Sequence, residues 1–138
     1  MTTGSLSAAD EERLVAAATA VRDNAYAPYS GYRVGSALLD EQGRVHTGCN
    51  VENSAFPLGA CAEANAIGAM VAAGGKRIVA IAAIGGPDGL EACTPCGGCR
   101  QIIAEFADAN TRVILIDADG RNVSHPVAEL LPSSFRLR

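Results

Sequence analysis

Five cysteines, Cys49, Cys61, Cys93, Cys96 and Cys99, carry most of the chemistry legible in this 138-residue chain. Cys96 and Cys99 stand three apart in Thr94-Pro95-Cys96-Gly97-Gly98-Cys99, which reads as a junction of loop and helix. Thiols there gain from free backbone N–H groups and the positive end of the helix dipole, so their ionised form is favoured. A C-x-x-C pair is half of a tetrahedral site, and Cys61, at the predicted start of another helix, is the natural third ligand for zinc. Three protein ligands leave one coordination position for water, which distinguishes catalytic from structural zinc. Glu63 lies two residues after Cys61. On a regular helix such residues point apart. They share a target only if Cys61 sits at the very start, with Glu63 in the first turn, beside the metal rather than on it. There a carboxylate can take a proton from water and deliver it to a substrate nitrogen.

Two other uses of the thiols compete. Cys93, Cys96 and Cys99 form a C-x-x-C-x-x-C run able to hold a structural metal with Cys49 or Cys61. Cys96 and Cys99 alone resemble a redox pair, although the strand-first order and aromatic neighbour of such pairs are missing. Cys49 and Cys93 otherwise read as small reduced core or loop residues. His46 and His125, the only histidines, have no acidic neighbour in the pattern and read as ordinary surface or hydrogen-bonded residues.

These side chains need a scaffold, and the pattern supplies one. Ser7 to Ala25 is predicted as a helix, capped by Ser7 with Asp10 and carrying Leu14, Ala18, Val21 and Ala25 on one stripe. Pro28 ends it within a turn-rich link. Arg33 to Asp40 and Arg44 to Gly48 read as a hairpin about Glu41-Gln42-Gly43. Cys49 to Gly59 is a loop, and Ala60 to Ala73 a helix stopped by Gly74-Gly75. Arg77 to Ile84 and Arg112 to Asp117 are strands apolar on both faces. Gly85 to Thr94 reads as a loop and Cys96 to Ala109 as a helix. A short strand at Asn122 to Ser124 and a short helix at Val127 to Leu131 close the chain. The order predicts one α/β domain over residues 1–138, a three-layer α/β/α sandwich with a mixed central sheet of about five strands.

Composition narrows the setting. The net charge of −4 offers no phosphate-neutralising field, so nucleic acid is not an expected partner. The N-terminal stretch is acidic where a signal peptide would be basic, and no apolar run approaches the ~20 residues that span a bilayer. A cytoplasmic protein without membrane contact is expected. An odd number of cysteines in a reducing compartment again favours metal or catalysis over disulfides.

Cys61-Ala62-Glu63 and Pro95-Cys96-Gly97-Gly98-Cys99-Arg100-Gln101 resemble the signature of the zinc-dependent nucleoside deaminases. The three-cysteine set is similar to that of the small cytidine deaminases. Tyr26 to Ser30, Val34-Gly35, Gly48 to Asn53, Pro57 to Gly59 and Leu130 to Phe135 resemble family segments in the same order. The likeness therefore runs from about Tyr26 to Phe135. It implies a cytidine deaminase-like fold and hydrolysis of cytidine and 2′-deoxycytidine to their uridine counterparts with release of ammonia, in pyrimidine salvage. It implies one Zn²⁺ per subunit on Cys61, Cys96 and Cys99, with Glu63 as proton shuttle. The Ala62 N–H would sit near the pyrimidine carbonyl or the metal-bound oxygen, Asn50 and Glu52 would bond the ribose 3′-hydroxyl, and Tyr32 would pack on the base. Phe135 would reach a neighbouring subunit's site in a homotetramer.

One position departs from the family, which usually has Arg after the catalytic Glu; here it is Ala64. Three thiolates around zinc beside Glu63 carry net negative charge, which that Arg would offset. The expected substitutes are the two helix N-termini and their N–H groups, with Arg100 or Asn65 secondary. The change keeps open a related aminopyrimidine nucleoside or a blasticidin S-like substrate, and a zinc-binding module without catalysis.

Overall fold

The computed structural model describes residues 6–137. The first five residues of the N-terminal stretch read above as lacking a leader lie outside it. The element order is α1 (Ala8–Arg22), β1 (Arg33–Asp40), β2 (Val45–Cys49), a 3₁₀ turn (Phe56–Leu58), α2 (Ala62–Ala72), β3 (Ile78–Gly86), α3 (Gly97–Glu105), β4 (Arg112–Ile116), β5 (Asn122–Pro126) and α4 (Val127–Leu130). The strands form one mixed sheet in the order β2-β1-β3-β4-β5. β3 and β4 run parallel, and the other neighbours are antiparallel.

Strand alternation sorts the core into two layers. Leu38, Ile81, Ala83, Val113 and Leu115 pack with Ala66, Ile67, Met70 and Ile103 of α2 and α3. Their neighbours Ala37, Leu39, Ala82, Ile84, Ile114 and Ile116 pack with Leu14 and Ala18 of α1. Helices thus cover both faces of a five-stranded sheet, as the sequence predicts. Close packing of α2 depends on Gly48. A Cβ there would lie 2.4 Å from the Ala66 nitrogen and 2.6 Å from the Ala62 carbonyl oxygen. That approach sets the first turn of α2 at the end of β2.

Some boundaries differ from the expected ones. α1 stops at Arg22 because the chain beyond it turns into the sheet edge, where Tyr26 N–H donates to Asn50 O. The buried stripe of α1 is Leu14, Ala18 and Arg22, so a guanidinium takes the place expected of Val21. α3 ends at Glu105, four residues early. Asp108, Asn110 and Thr111 form a side-chain-bonded turn there, and Arg136 donates to the freed carbonyls of Ala104 and Ala107. α2 begins at Ala62 rather than Ala60, because Ala60 pairs with Val51.

Both histidines have acidic partners, contrary to the sequence expectation. His125 Nδ1 lies 2.6 Å from Glu129, and His46 Nε2 lies 2.8 Å from the fully buried Asp40. The hairpin and the helix turn bring together residues that the linear pattern keeps apart. Asp40 also accepts from the N–H groups of Gln42 and Arg44 and from the Arg44 guanidinium, which in turn donates to Ala73 O at the end of α2. Burial alone would raise the Asp40 carboxyl. The bonds from His46, Arg44 and Gln42 outweigh it and hold the group at about 2, below its ordinary 3.8. A depressed carboxyl stabilises the fold above its unfolded value, and that contribution is lost as pH falls from 3.8 through 2. Urea unfolding of the wild type should therefore lose about 2 kcal/mol more over this window than unfolding of Asp40→Asn. Equal acid slopes for the two proteins would contradict this assignment.

Candidate metal centre

Cys61 and Cys96 are the N-cap residues of α2 and α3, both with extended backbone, and Cys99 lies in the first turn of α3. Two helix N-termini therefore converge on one point, carrying unpaired N–H groups and positive partial charge. The sulfurs of Cys61, Cys96 and Cys99 lie within 4.8 Å of one another, with Cys61 and Cys96 3.9 Å apart. Thiolates bound at ~2.3 Å to a tetrahedral zinc would stand about 3.8 Å from each other, so the set fits that ion. All five cysteines are free, and Cys93 and Cys49 are not part of the sulfur cluster. The structure thus brings together the three predicted ligands and leaves aside the C-x-x-C-x-x-C set.

The expectation that both thiols of the C-x-x-C pair favour the ionised form holds for Cys96 and fails for Cys99, which is buried. The Cys99 N–H, 3.4 Å from Cys96 Sγ, lowers the Cys96 thiol. Burial raises Cys61, and burial with the nearby Glu63 raises Cys99. Three thiols this close cannot all ionise without a cation among them. Cys₃ with an adjacent carboxylate is a donor set suited to zinc.

Glu63, 5% exposed, is buried at the first turn of α2, and burial pushes its carboxyl up. Because Cys61 is the cap and not a helical residue, its side chain and that of Glu63 face the same cavity, as the sequence argument requires. That cavity holds about 280 Å³ and is lined by Ser30, Tyr32, Val34, Asn50 and Ala83, with Ala62, Glu63, Cys93, Thr94 and two of the ligand cysteines. Sequence reasoning missed Ser30, Val34, Ala83, Cys93 and Thr94. Thr94 was within reach, two residues before Cys96. Ala83 lies inside an unbroken apolar strand, where nothing separates a core face from a cavity wall.

The other predicted site residues divide. Tyr32 lines the cavity, and burial, then Cys93 and Glu91, push its hydroxyl up to about 12, so it stays neutral. Asn50 also faces the cavity. Its Oδ1 accepts from Val34 N–H at 2.8 Å and its Nδ2 donates to Tyr32 O at 2.9 Å, leaving one donor and one acceptor position unused. Glu52 does not line the cavity. Its carboxylate accepts from the N–H groups of Tyr29 and Ser30 and from the Ser30 hydroxyl, so it anchors the rim, and it lines an adjoining cavity of about 320 Å³ that shares Ser30. Phe135 is 68% exposed and lies by Gln101 and Glu105, outside the cavity of its own chain.

Neither side chain expected to offset the missing Arg reaches the sulfurs by a hydrogen bond. Arg100 donates to Pro95 O and Leu130 O, and Asn65 donates to Cys49 O. Both are occupied in bracing the segments that carry the ligands. The helix N-termini, expected as the main compensation, are in place.

Residues 8–116 match the family profile described as "Cytidine and deoxycytidylate deaminase zinc-binding region". The chain is 41% identical over 126 residues to a cytidine deaminase of Sporosarcina psychrophila, spanning 91% of each protein. It is 40% identical over 125 residues to a cytidine deaminase of Mycobacterium tuberculosis H37Rv, spanning 87% of this chain and 85% of that one. The crystal structure of cytidine deaminase from Mycobacterium tuberculosis superposes with a TM-score of 0.80 at 38% identity, covering 93% of this chain and 98% of the other. That from Burkholderia pseudomallei gives 0.81 at 39% identity, covering 90% and 98%.

Proposed function

The chain belongs to the cytidine deaminase family, in its small type with a three-cysteine zinc site, and from that premise we propose the hydrolytic deamination of cytidine and 2′-deoxycytidine to uridine and 2′-deoxyuridine. The observation that carries this reading is a buried carboxylate in the same small cavity as the ligand sulfurs. Zinc bound to Cys61, Cys96 and Cys99 would act as a Lewis acid that lowers the pKa of a water toward 7. Glu63 takes one proton from the attacking water and passes it to N3 of the cytosine ring as the water oxygen bonds to C4. It then takes the second proton of that oxygen and delivers it to the amine as the C4–N bond breaks, so the carboxylate is restored at the end of each turnover. The Ala62 N–H, at the start of α2 on the cavity wall, would donate to the pyrimidine carbonyl. Tyr32 offers its ring face to the base, and Asn50 offers its unused donor and acceptor to the ribose 3′-hydroxyl. Glu52, which lines the adjoining cavity across Ser30, would be the second partner of that hydroxyl.

Among the described residues no Lys or Arg lines the cavity. A nucleoside suits it better than a nucleotide, whose 5′-phosphate, beyond the ribose, would find no cation in that lining. We read residues 1–138 as a single catalytic domain acting in the cytoplasm; no helix among the described residues is long and apolar enough to cross a membrane. A homotetramer is supported by exposed Phe56, Leu58 and Phe135, which leave apolar surface available for neighbouring subunits.

A panel of cytidine, deoxycytidine, cytosine, deoxycytidylate and blasticidin S, scored for ammonia release, tests the reading. Both nucleosides should turn over, and the free base and the nucleotide should lose at least about 10²-fold in kcat/KM. Zinc bound without turnover of any of the five would instead indicate a non-catalytic zinc module.

A further inference from the structure

Arg22 is buried on the apolar stripe of α1, where a Leu would satisfy packing at no electrostatic cost. Its Nη2 donates to Gly86 O at 2.7 Å and more weakly to Gly89 O at 3.4 Å. Its Nη1 meets Asp23 at 3.4 Å, and Nε has no protein partner. The side chain is therefore aimed at a turn rather than at a carboxylate. Gly86 and Gly89 close that turn so tightly that a Cβ on Gly86, at φ +155°, would fall 1.8 Å from Gly89 O. The chain then returns along β3, with Glu91 N–H donating to Gly85 O at 2.9 Å. It passes Cys93 and Thr94 through the cavity wall and reaches Cys96 at the cap of α3.

Two guanidinium groups thus hold backbone carbonyls of this segment, Arg22 at its beginning and Arg100 at Pro95 near its end. Arg22 comes from the opposite face of the sheet to α2 and α3, so it touches neither ligands nor cavity. Both carbonyls are met by Nη2 while Nη1 of the same plane faces Asp23, so the donors of Nη2 are held in a fixed orientation that a freely rotating ammonium lacks. We propose that Arg22 is a positioning residue for the deaminase reaction, clamping the Gly86–Gly89 turn so that Cys93, Thr94 and Cys96 arrive at the cavity in register. This rests on the deaminase reading for its kinetic consequence and on geometry alone for the clamp.

Arg22→Met, Arg22→Lys and a mild core control in the α1 layer, Ile114→Val, are compared with the wild type at equal zinc content and well below their melting temperatures. In Arg22→Met the Glu91 amide should exchange hydrogen about tenfold faster or more, with β4 amides unchanged. Its kcat/KM for cytidine should fall about ten- to hundredfold, because small displacements of a cavity wall are costly. Arg22→Lys should lie between, and Ile114→Val should keep wild-type kcat and KM. Wild-type Glu91 exchange or wild-type kinetics in Arg22→Met overturns the clamp; if that variant does not fold, the same results in Arg22→Lys do so. An equal kinetic loss in Ile114→Val also overturns it. A wild type that turns over no nucleoside removes the deaminase reading instead, and Glu91 exchange then decides the clamp by itself.

Discussion

Glu63→Gln should lower kcat for cytidine by about 10²–10⁴-fold, the range expected when a positioned general acid–base is removed. The amide has the size and hydrogen-bonding reach of the acid but cannot accept a proton from water and release it to N3. Glu63 is not one of the three clustered sulfur donors, so zinc content should stay at one per chain. Stability should hold or rise, since a neutral side chain is easier to bury at this 5% exposed site than a carboxylate. Turnover, metal content and a melting curve on one preparation check all three statements. Near-wild-type turnover in the zinc-loaded variant would remove Glu63 from the mechanism and leave a metal site without its proton carrier.

The second large effect is expected at Cys99, the buried member of the sulfur cluster. Cys99→Ala leaves two donors where zinc needs at least three from the protein. Metal affinity should drop by well over about 10²-fold, because even changes to groups behind the ligands cost 10–100-fold. Activity should disappear with the metal, and the melting temperature should fall, since metal binding is coupled to folding. Cys93→Ser should retain stoichiometric zinc, although Cys93 is only three residues from Cys96 and lines the same cavity. Metal analysis after dialysis against a chelator separates the two variants. Loss of zinc from Cys93→Ser would restore the C-x-x-C-x-x-C arrangement that the sulfur geometry disfavours.

Ala64 keeps its interest. The guanidinium usual in the family is absent, and the side chains offered as substitutes spend their hydrogen bonds on backbone carbonyls. The positive ends of α2 and α3 remain, both aimed at the cluster because both ligand-bearing caps are extended residues. Compensation by backbone rather than side chain suits a position occupied by alanine.

Much of this protein was legible before folding. Unbroken apolar runs marked the two central strands and the Glu41-Gln42-Gly43 turn marked the hairpin, and the alternation of strand side chains assigns Leu38 to one core layer and Ala37 to the other. Local chemistry at Cys61, Glu63, Cys96 and Cys99 was legible because caps and first turns are short-range features. Other features had no linear signal. The partners of His46 and His125 depend on a hairpin register and a helix turn, and the end of α3 depends on an arginine about 30 residues later.

The sequence by itself determined the order of strands and helices, the Cys-x-x-Cys pair at a helix cap and the carboxylate two residues after Cys61, since each rests on residue type and short-range spacing. Only the tertiary structure decided that Glu52 anchors the rim while Asn50 faces the cavity, that Cys93 forms part of its wall, and that a buried Arg22 reaches the turn at the end of β3. Those placements depend on which distant backbone groups come within 3 Å, and side-chain type alone does not specify that.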